Sequence, residues 1–199
     1  MTAEPRIVTK PELRRQARAL RARHAADPPV SFLSALRALP AWEHARTVAL
    51  YAAVGGEPPT DDLIADRLAA GRRVVVPAWV PDAVAPDGVC AFPAPGAYAL
   101  AELGPGEPLA PGPFAIPEPV LKRWLPVDRV DLFVLPGLLF DRSGARLGHG
   151  AGHIDRLLAG RRPDASVVGL AFPWQLHDGP LPREPHDVPM DAVLLPDGV

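Results

Sequence analysis

A single cysteine, Cys90, stands among the 199 residues, so no internal disulfide can staple the chain and its fold must rest on a packed core. No apolar run approaches the roughly 18 residues needed to span a bilayer. The opening MTAEPRIVTKPELRRQ has no apolar signal-peptide region. These absences predict a protein of the cytoplasm with no membrane partner. Neither sign of charge is in excess: 21 Lys and Arg stand against 23 Asp and Glu, a net charge of −2. That balance argues against a broad nucleic-acid-binding surface. No internal repeat is visible. A Walker A loop, a strict GxGxxG fingerprint, a GxSxG elbow and an HExxH pair are all missing, which weakens the corresponding nucleotide-binding, hydrolase and zinc-protease readings.

What is present is an ordinary globular composition, 48% hydrophobic and 22% charged, long enough to bury a substantial core as one domain over residues 1–199. The 27 prolines fit the codon usage of a GC-rich genome. Thr9 and Glu12 have capping-box spacing with Pro11 in the first turn, so a helix is expected from about Lys10 to His24. A shorter helix is expected over Ser31 to Leu39. A third should follow Thr60 as its cap, with Asp61 and Asp62 in its first turn and Gly71 beyond its end. Strands are expected at Val48–Tyr51, at Val74–Val76 (stopped by Pro77), at Asp131–Leu135, at Val167–Phe172 and at Ala192–Leu195. The prolines of about 81–119 exclude helix there. Cys90, Phe92, Tyr98, Phe114 and Ile116 nevertheless predict a loop-rich excursion with short strands, packed on the domain. Strands alternating with helices imply an α/β domain with a largely parallel or mixed sheet.

The richest segment is FVLPGLLFDRSGARLGHGAGHIDR, residues 133–156. A buried strand ends at Pro136-Gly137, glycines then alternate at Gly148, Gly150 and Gly152, and a short helix should run from His153 to Ala159. Glycines let backbone N–H groups approach a phosphate, and a helix N-terminus adds a favourable dipole. A tight turn would need fewer glycines. Arg146 before the loop can meet phosphate, and Asp155 after it can hold Mg²⁺. His149 and His153 lie four apart, which raises zinc, but glycines interrupt any shared helical face and no further ligand accompanies them. Lys10 and Arg14 sit one helical turn apart and could reach one anion or simply face solvent. Glu57 follows Gly55-Gly56 and reads equally as a loop-end or a functional carboxylate. The His186-Asp187 pair among prolines suits metal or phosphate chemistry, and also a solvated turn.

In order along nearly the whole chain, these pieces resemble the 5-formyltetrahydrofolate cyclo-ligase family. The resemblance runs through Lys10-x-x-Leu13-Arg14, Leu50-Tyr51…Gly56-Glu57…Thr60, Val76-Pro77 and Phe114-Ala115-Ile116-Pro117-Glu118-Pro119. It continues through Leu135-Pro136-Gly137…Phe140-Asp141…Gly144-x-Arg146-Leu147-Gly148-x-Gly150-x-Gly152-x-x-Asp155. It closes on Gly169-Leu170-Ala171-Phe172…Gln175 and Pro182…His186-Asp187-x-Pro189-x-Asp191. The resemblance implies a three-layer α/β domain of NagB/RpiA/CoA-transferase-like architecture. It also implies ATP- and Mg²⁺-dependent cyclisation of 5-formyltetrahydrofolate to 5,10-methenyltetrahydrofolate, the formyl oxygen being phosphorylated so that it can leave as phosphate.

By motif match, the resemblance assigns ATP to Lys10, Arg14, Arg146, Leu147, Gly148, His149, Gly150, Ala151, Gly152 and His153. It assigns the folate to Ala52, Glu57 and His149–His153, Mg²⁺ to Asp155 and Asp187, and the chemical step to Arg146 and Asp155. The chain departs from the family pattern at Ala151, where Lys or Gly is usual, and at His153-Ile154, where the family carries an aromatic pair beside the pterin. Those departures motivate two alternatives, a diverged paralogue acting on a non-folate formyl or amide compound and a non-catalytic nucleotide-binding module. The implied partners are small molecules, with the chain a monomer or homodimer.

Overall fold

A computed structural model describes residues 8–28, 30–81 and 97–197; Cys90 and Phe92 lie outside them. In chain order the elements are α1 (Lys10–Arg23), α2 (Leu33–Arg37), α3 (Pro40–His44), β1 (Thr47–Ala49), α4 (Asp61–Ala69), β2 (Arg73–Val80) and β3 (Ala97–Leu103). They continue with β4 (Leu109–Pro111), β5 (Pro117–Pro119), β6 (Arg123–Leu125), β7 (Leu132–Leu135), β8 (Leu139–Asp141) and β9 (Arg146–Leu147), then α5 (His153–Leu158), β10 (Ser166–Leu170), β11 (Leu176–His177) and β12 (Ala192–Leu194). The main sheet has seven strands in the order β12-β10-β7-β1-β2-β3-β6. Its first five are parallel, while β3 and β6 are antiparallel.

Sheet side chains alternate between two cores, as a pleated strand requires. Val48, Val74, Val76, Leu132, Val134 and Val168 pack with Leu36, Trp42 and Leu63 of α2, α3 and α4 on one face. Ala49, Val75, Phe133, Leu135 and Val167 pack with Leu157 and Leu158 of α5 on the other. The result is the expected helix–sheet–helix layering. A third cluster seats α1 through Leu13 and Ala17 on Leu138, Leu139 and Leu147 of a small sheet ordered β11-β8-β9. The capping box of α1 is present, with Thr9 accepting from the Glu12 N–H and Glu12 accepting from the Thr9 N–H.

Four expectations need correcting. The helix expected over Ser31–Leu39 is present but shorter, α2 at Leu33–Arg37, and a further helix not expected from the sequence, α3, follows it with Pro40 in its first turn. Thr60 occupies the cap position of α4 but makes no cap bond; its hydroxyl donates instead to the buried Tyr51 carbonyl at 2.6 Å, which ties the helix start to the end of β1. Pro77 does not stop β2. The parallel partner β1 pairs only as far as Val75, so the missing Pro77 N–H falls where no ladder needs it. Finally, the second half of the proline-rich excursion holds β3, a buried strand of the main sheet paired with β2 from Ala97 to Leu103. Among the described residues, β4 and β5 are short strands of the kind expected there, and they pair with each other.

Candidate functional site

β1 lies between β7 and β2, so successive connections leave it in opposite directions. In open α/β sheets such a switch point opens a crevice at the carboxyl ends of the strands, where ligands bind. Here a cavity of about 700 Å³ occupies that position, floored by Leu50, Tyr51 and Ala52 after β1 and by Leu135 and Pro136 after β7. α1 crosses one side and the glycine loop the other. The strand ending at Leu135 does not run straight into that loop. The β8–β9 hairpin intervenes, pinned by Asp141, whose carboxylate accepts from the N–H groups of Ser143, Ala145 and Leu181 and from the Ser143 hydroxyl. These donors outweigh burial and hold the Asp141 carboxyl below the usual range.

Every residue assigned to the site by motif lines this cavity. At one end Lys10 donates to Asp187 Oδ2 at 2.7 Å and lies 3.2 Å from Glu184. Burial works against the Lys10 charge, but these two carboxylates outweigh it and raise its pKa. The same bond, with the Glu184 N–H, overcomes burial to lower that of Asp187. Arg14 Nε donates to the Gly148 carbonyl at 3.0 Å, which ties α1 to the loop. Arg146 grips Asp155 through Nη2, at 3.0 and 3.1 Å from the two carboxylate oxygens. Gly150 has φ +108 and Gly152 φ +67, backbone that a side chain would strain. The two carboxylates expected to act together each hold a different cation. Among the described residues, the cluster of potential metal ligands that includes Asp187 adds Glu184 and His186 rather than Asp155.

The helix dipole contributes less than expected. α5 has six residues and no side-chain cap, so its partial charge is small beside whole guanidinium charges. Those charges come from α1. Lys10, Arg14, Arg18 and Arg21 recur on one face, within an arc of roughly 80° at 100° per residue, and all four line the cavity. Arg18 and Arg21 were not singled out from sequence, although their i, i+4, i+7 spacing from Arg14 was visible there. His149 sits in this field. Burial first, then Arg21, Arg18, Arg146 and Arg14, lowers its pKa and keeps the imidazole neutral. Among the described residues, the candidate metal-ligand group is Glu184, His186 and Asp187 and contains neither His149 nor His153.

Part of the lining is aromatic. His153 meets Tyr98 edge-to-face at 5.3 Å and Trp79 at 6.2 Å, and Tyr98 meets Trp79 at 5.3 Å. These separations suit aromatic pairing. Burial and then the Glu118 carboxylate push the Tyr98 hydroxyl up to about 12. Thus the His153 that departs from the family pattern joins an aromatic cluster. Ile154 packs into the core below. Ala52 is buried at the cavity floor. Glu57 accepts the Val54 N–H at 3.2 Å. Burial raises its pKa despite that bond and the Arg21 charge.

Parallel strands that feed a switch-point cavity lined by cations and aromatic rings place the chain among α/β folds with a built small-molecule pocket. The model of the 5-formyltetrahydrofolate cyclo-ligase family matches residues 6–196. The cyclo-ligase of Mycolicibacterium smegmatis is 36% identical over 162 residues, 76% of this chain and 74% of that protein. The one of Escherichia coli K12 is 33% identical over 158 residues, 78% and 80% of the two chains. The NMR structure of Aquifex aeolicus 5,10-methenyltetrahydrofolate synthetase superposes with a TM-score of 0.72 at 27% identity, covering 94% of this chain and 89% of that one. The chain therefore belongs to the 5-formyltetrahydrofolate cyclo-ligase family and is an enzyme of the ligase class. The family's reaction depends on ATP.

Proposed function

We propose that this enzyme converts 5-formyltetrahydrofolate to 5,10-methenyltetrahydrofolate with ATP and Mg²⁺, releasing ADP and phosphate. One observation carries the reading: a single cavity is lined by the glycine loop, by four cations of α1 and by the Tyr98–His153 ring pair. A polyphosphate needs the cations and a flat pterin the rings. Lys10, Arg14 and Arg146 would hold the nucleotide phosphates over the loop from Leu147 to His153. Ala52, Glu57 and the loop's aromatic side would take the folate.

The donor set fits Mg²⁺. Asp155 and Asp187 offer hard carboxylate oxygens, and Mg²⁺ typically takes one or two of these together with substrate phosphates. Asp187 Oδ1 lies 3.9 Å from His186 Nε2, while its Oδ2 takes the Lys10 bond. The ion would supply charge neutralisation for phosphoryl transfer. Arg146 and Asp155, now paired, would be the groups nearest the reacting phosphate. Ala151 contributes no charge, which leaves neutralisation to α1 and Arg146. Among the described residues no helix is long and apolar enough to cross a membrane, which supports assigning the enzyme to the cytoplasm, with small molecules as its partners and a monomer or homodimer as its working unit.

Purified protein given ATP, Mg²⁺ and 5-formyltetrahydrofolate is expected to generate methenyltetrahydrofolate absorbance. No product, under conditions where a known cyclo-ligase forms it, would sink the substrate assignment.

A further inference from the structure

The cations of the cavity are not equally matched. Lys10 faces two carboxylates and Arg146 one. Among the described residues no carboxylate comes within 4.0 Å of the guanidinium of Arg14, Arg18 or Arg21. Arg21 differs from the other two in having an enclosed nitrogen, Nε, with no partner. Its Nη2 donates to the Gly137 carbonyl at 3.0 Å. Burial pulls its pKa down, against the more distant Glu57, yet an arginine stays charged in proteins. A half-buried cation without a counter-ion is costly to fold, and structures keep one where a ligand supplies the missing charge.

Architecture does not require this arginine. The Gly137 carbonyl keeps a second donor, Gln175 Nε2 at 2.7 Å, so removing Arg21 would orphan nothing. Its position narrows the ligand. Arg146 approaches the neighbouring Pro136 carbonyl at 3.5 Å, so the two guanidiniums flank one turn at the end of β7. His149 of the glycine loop and Glu57 line the same cavity as Arg21, and both feel its charge. Arg21 is therefore within electrostatic reach of both the loop proposed for the nucleotide and the carboxylate proposed for the folate.

We propose that Arg21 is a further catalytic residue, binding the phosphoryl group in transit between the nucleotide and the formyl oxygen. This rests on the cyclo-ligase reading. In that step the formyl oxygen forms a bond to the γ-phosphorus and the bond from that phosphorus to the β-bridging oxygen breaks. The electron pair of the broken bond leaves with ADP, and no proton moves. Charge on the transferring oxygens is unshielded at that moment, and a fixed, pre-desolvated guanidinium is suited to meet it. Arg21 then matters more to the transition state than to either bound substrate.

The test compares the full-length wild type with Arg21→Met and Arg21→Lys. Arg21→Met is expected to fold with an unchanged or higher Tm. Its kcat is expected to fall at least tenfold while the KM values for ATP and for the formyl folate move less than threefold, and Arg21→Lys is expected to recover part of the kcat. Inorganic phosphate should raise the Tm of the wild type and raise that of Arg21→Met less than half as much. If kcat stays within threefold, the inference is wrong. A large rise in KM for the formyl folate alone would instead make Arg21 a receptor for the substrate's carboxylates, and one in KM for ATP alone a ground-state nucleotide contact; either overturns it. A lowered Tm with uniform loss of activity would make it structural. Should Arg21→Met not fold, the kcat and phosphate response of Arg21→Lys decide. A wild type that forms no methenyl product refutes the substrate assignment, whereas an equal phosphate response in wild type and variant refutes the role of Arg21.

Discussion

Glu57 shows how much a single side chain's surroundings matter. Burial raises its pKa despite one backbone donor and a distant arginine, so the folded state favours its protonated form. A raised folded pKa contributes stability that is complete below the unfolded value and is lost as pH rises through the folded one. Glu57→Gln, which mimics the protonated form, is therefore expected to melt above wild type at pH 8. The gap should close as pH approaches 4. Thermal melts across that range check this, and a gap that widens toward acid would contradict it. A stability cost retained in a cavity lining fits the folate-binding role proposed for Glu57.

The elements that carry the site depend on turns with no freedom to change. Gly144 has φ +80, and a Cβ there would strike the backbone carbonyl of Met190, which in turn accepts no slack because the Met190 N–H donates to the Gly144 carbonyl at 2.8 Å. Gly144→Ala is expected to destabilise the fold by about 2–4 kcal/mol through strain and overlap. A two-state urea titration measures it, and a loss under about 1 kcal/mol would show that the turn relaxes. The same hairpin holds Asp141. Asp141→Asn exchanges one charged acceptor oxygen for a donor facing N–H groups, for an expected loss of about 2–3 kcal/mol. Its urea midpoint should fall without a change in slope. Because Asp141 also takes the Leu181 N–H, this loss should loosen the segment leading to Asp187, and weaker ATP binding should accompany it.

Across the molecule, ligand binding should be coupled to α1. The helix rests on the small sheet through Leu13 and Ala17 and touches the loop through Arg14, so a nucleotide held by Lys10 and Arg14 would reinforce the link between α1 and the loop. At a hundredfold excess over Kd a ligand that binds only the folded state adds about 2.7 kcal/mol. ATP with Mg²⁺ is therefore expected to raise Tm by several degrees, and EDTA to remove most of that gain. Equal shifts with and without EDTA would argue against the carboxylate pair as the metal site.

Much of this was legible along the chain because the signals are local. The capping box of α1, the buried runs at β7 and β10, the left-handed glycines and the order of motifs from Lys10 to Asp187 all depend on near neighbours. Local signals failed where a distant partner decided the outcome. Thr60 bonds back to β1 rather than capping its helix, Pro77 survives inside a strand because its partner ends early, and β3 is a core strand within a proline-rich stretch because β2 supplies its ladder. Sequence alone determined the family, the layered α/β plan and the residues available for phosphate and metal. Tertiary structure alone decided which charges are matched: Asp155 by Arg146, Asp187 by Lys10, and Arg21 by no carboxylate within 4.0 Å among the described residues. Charge balance is set by distance and burial, and only packing brings together groups that lie 177 and 116 positions apart.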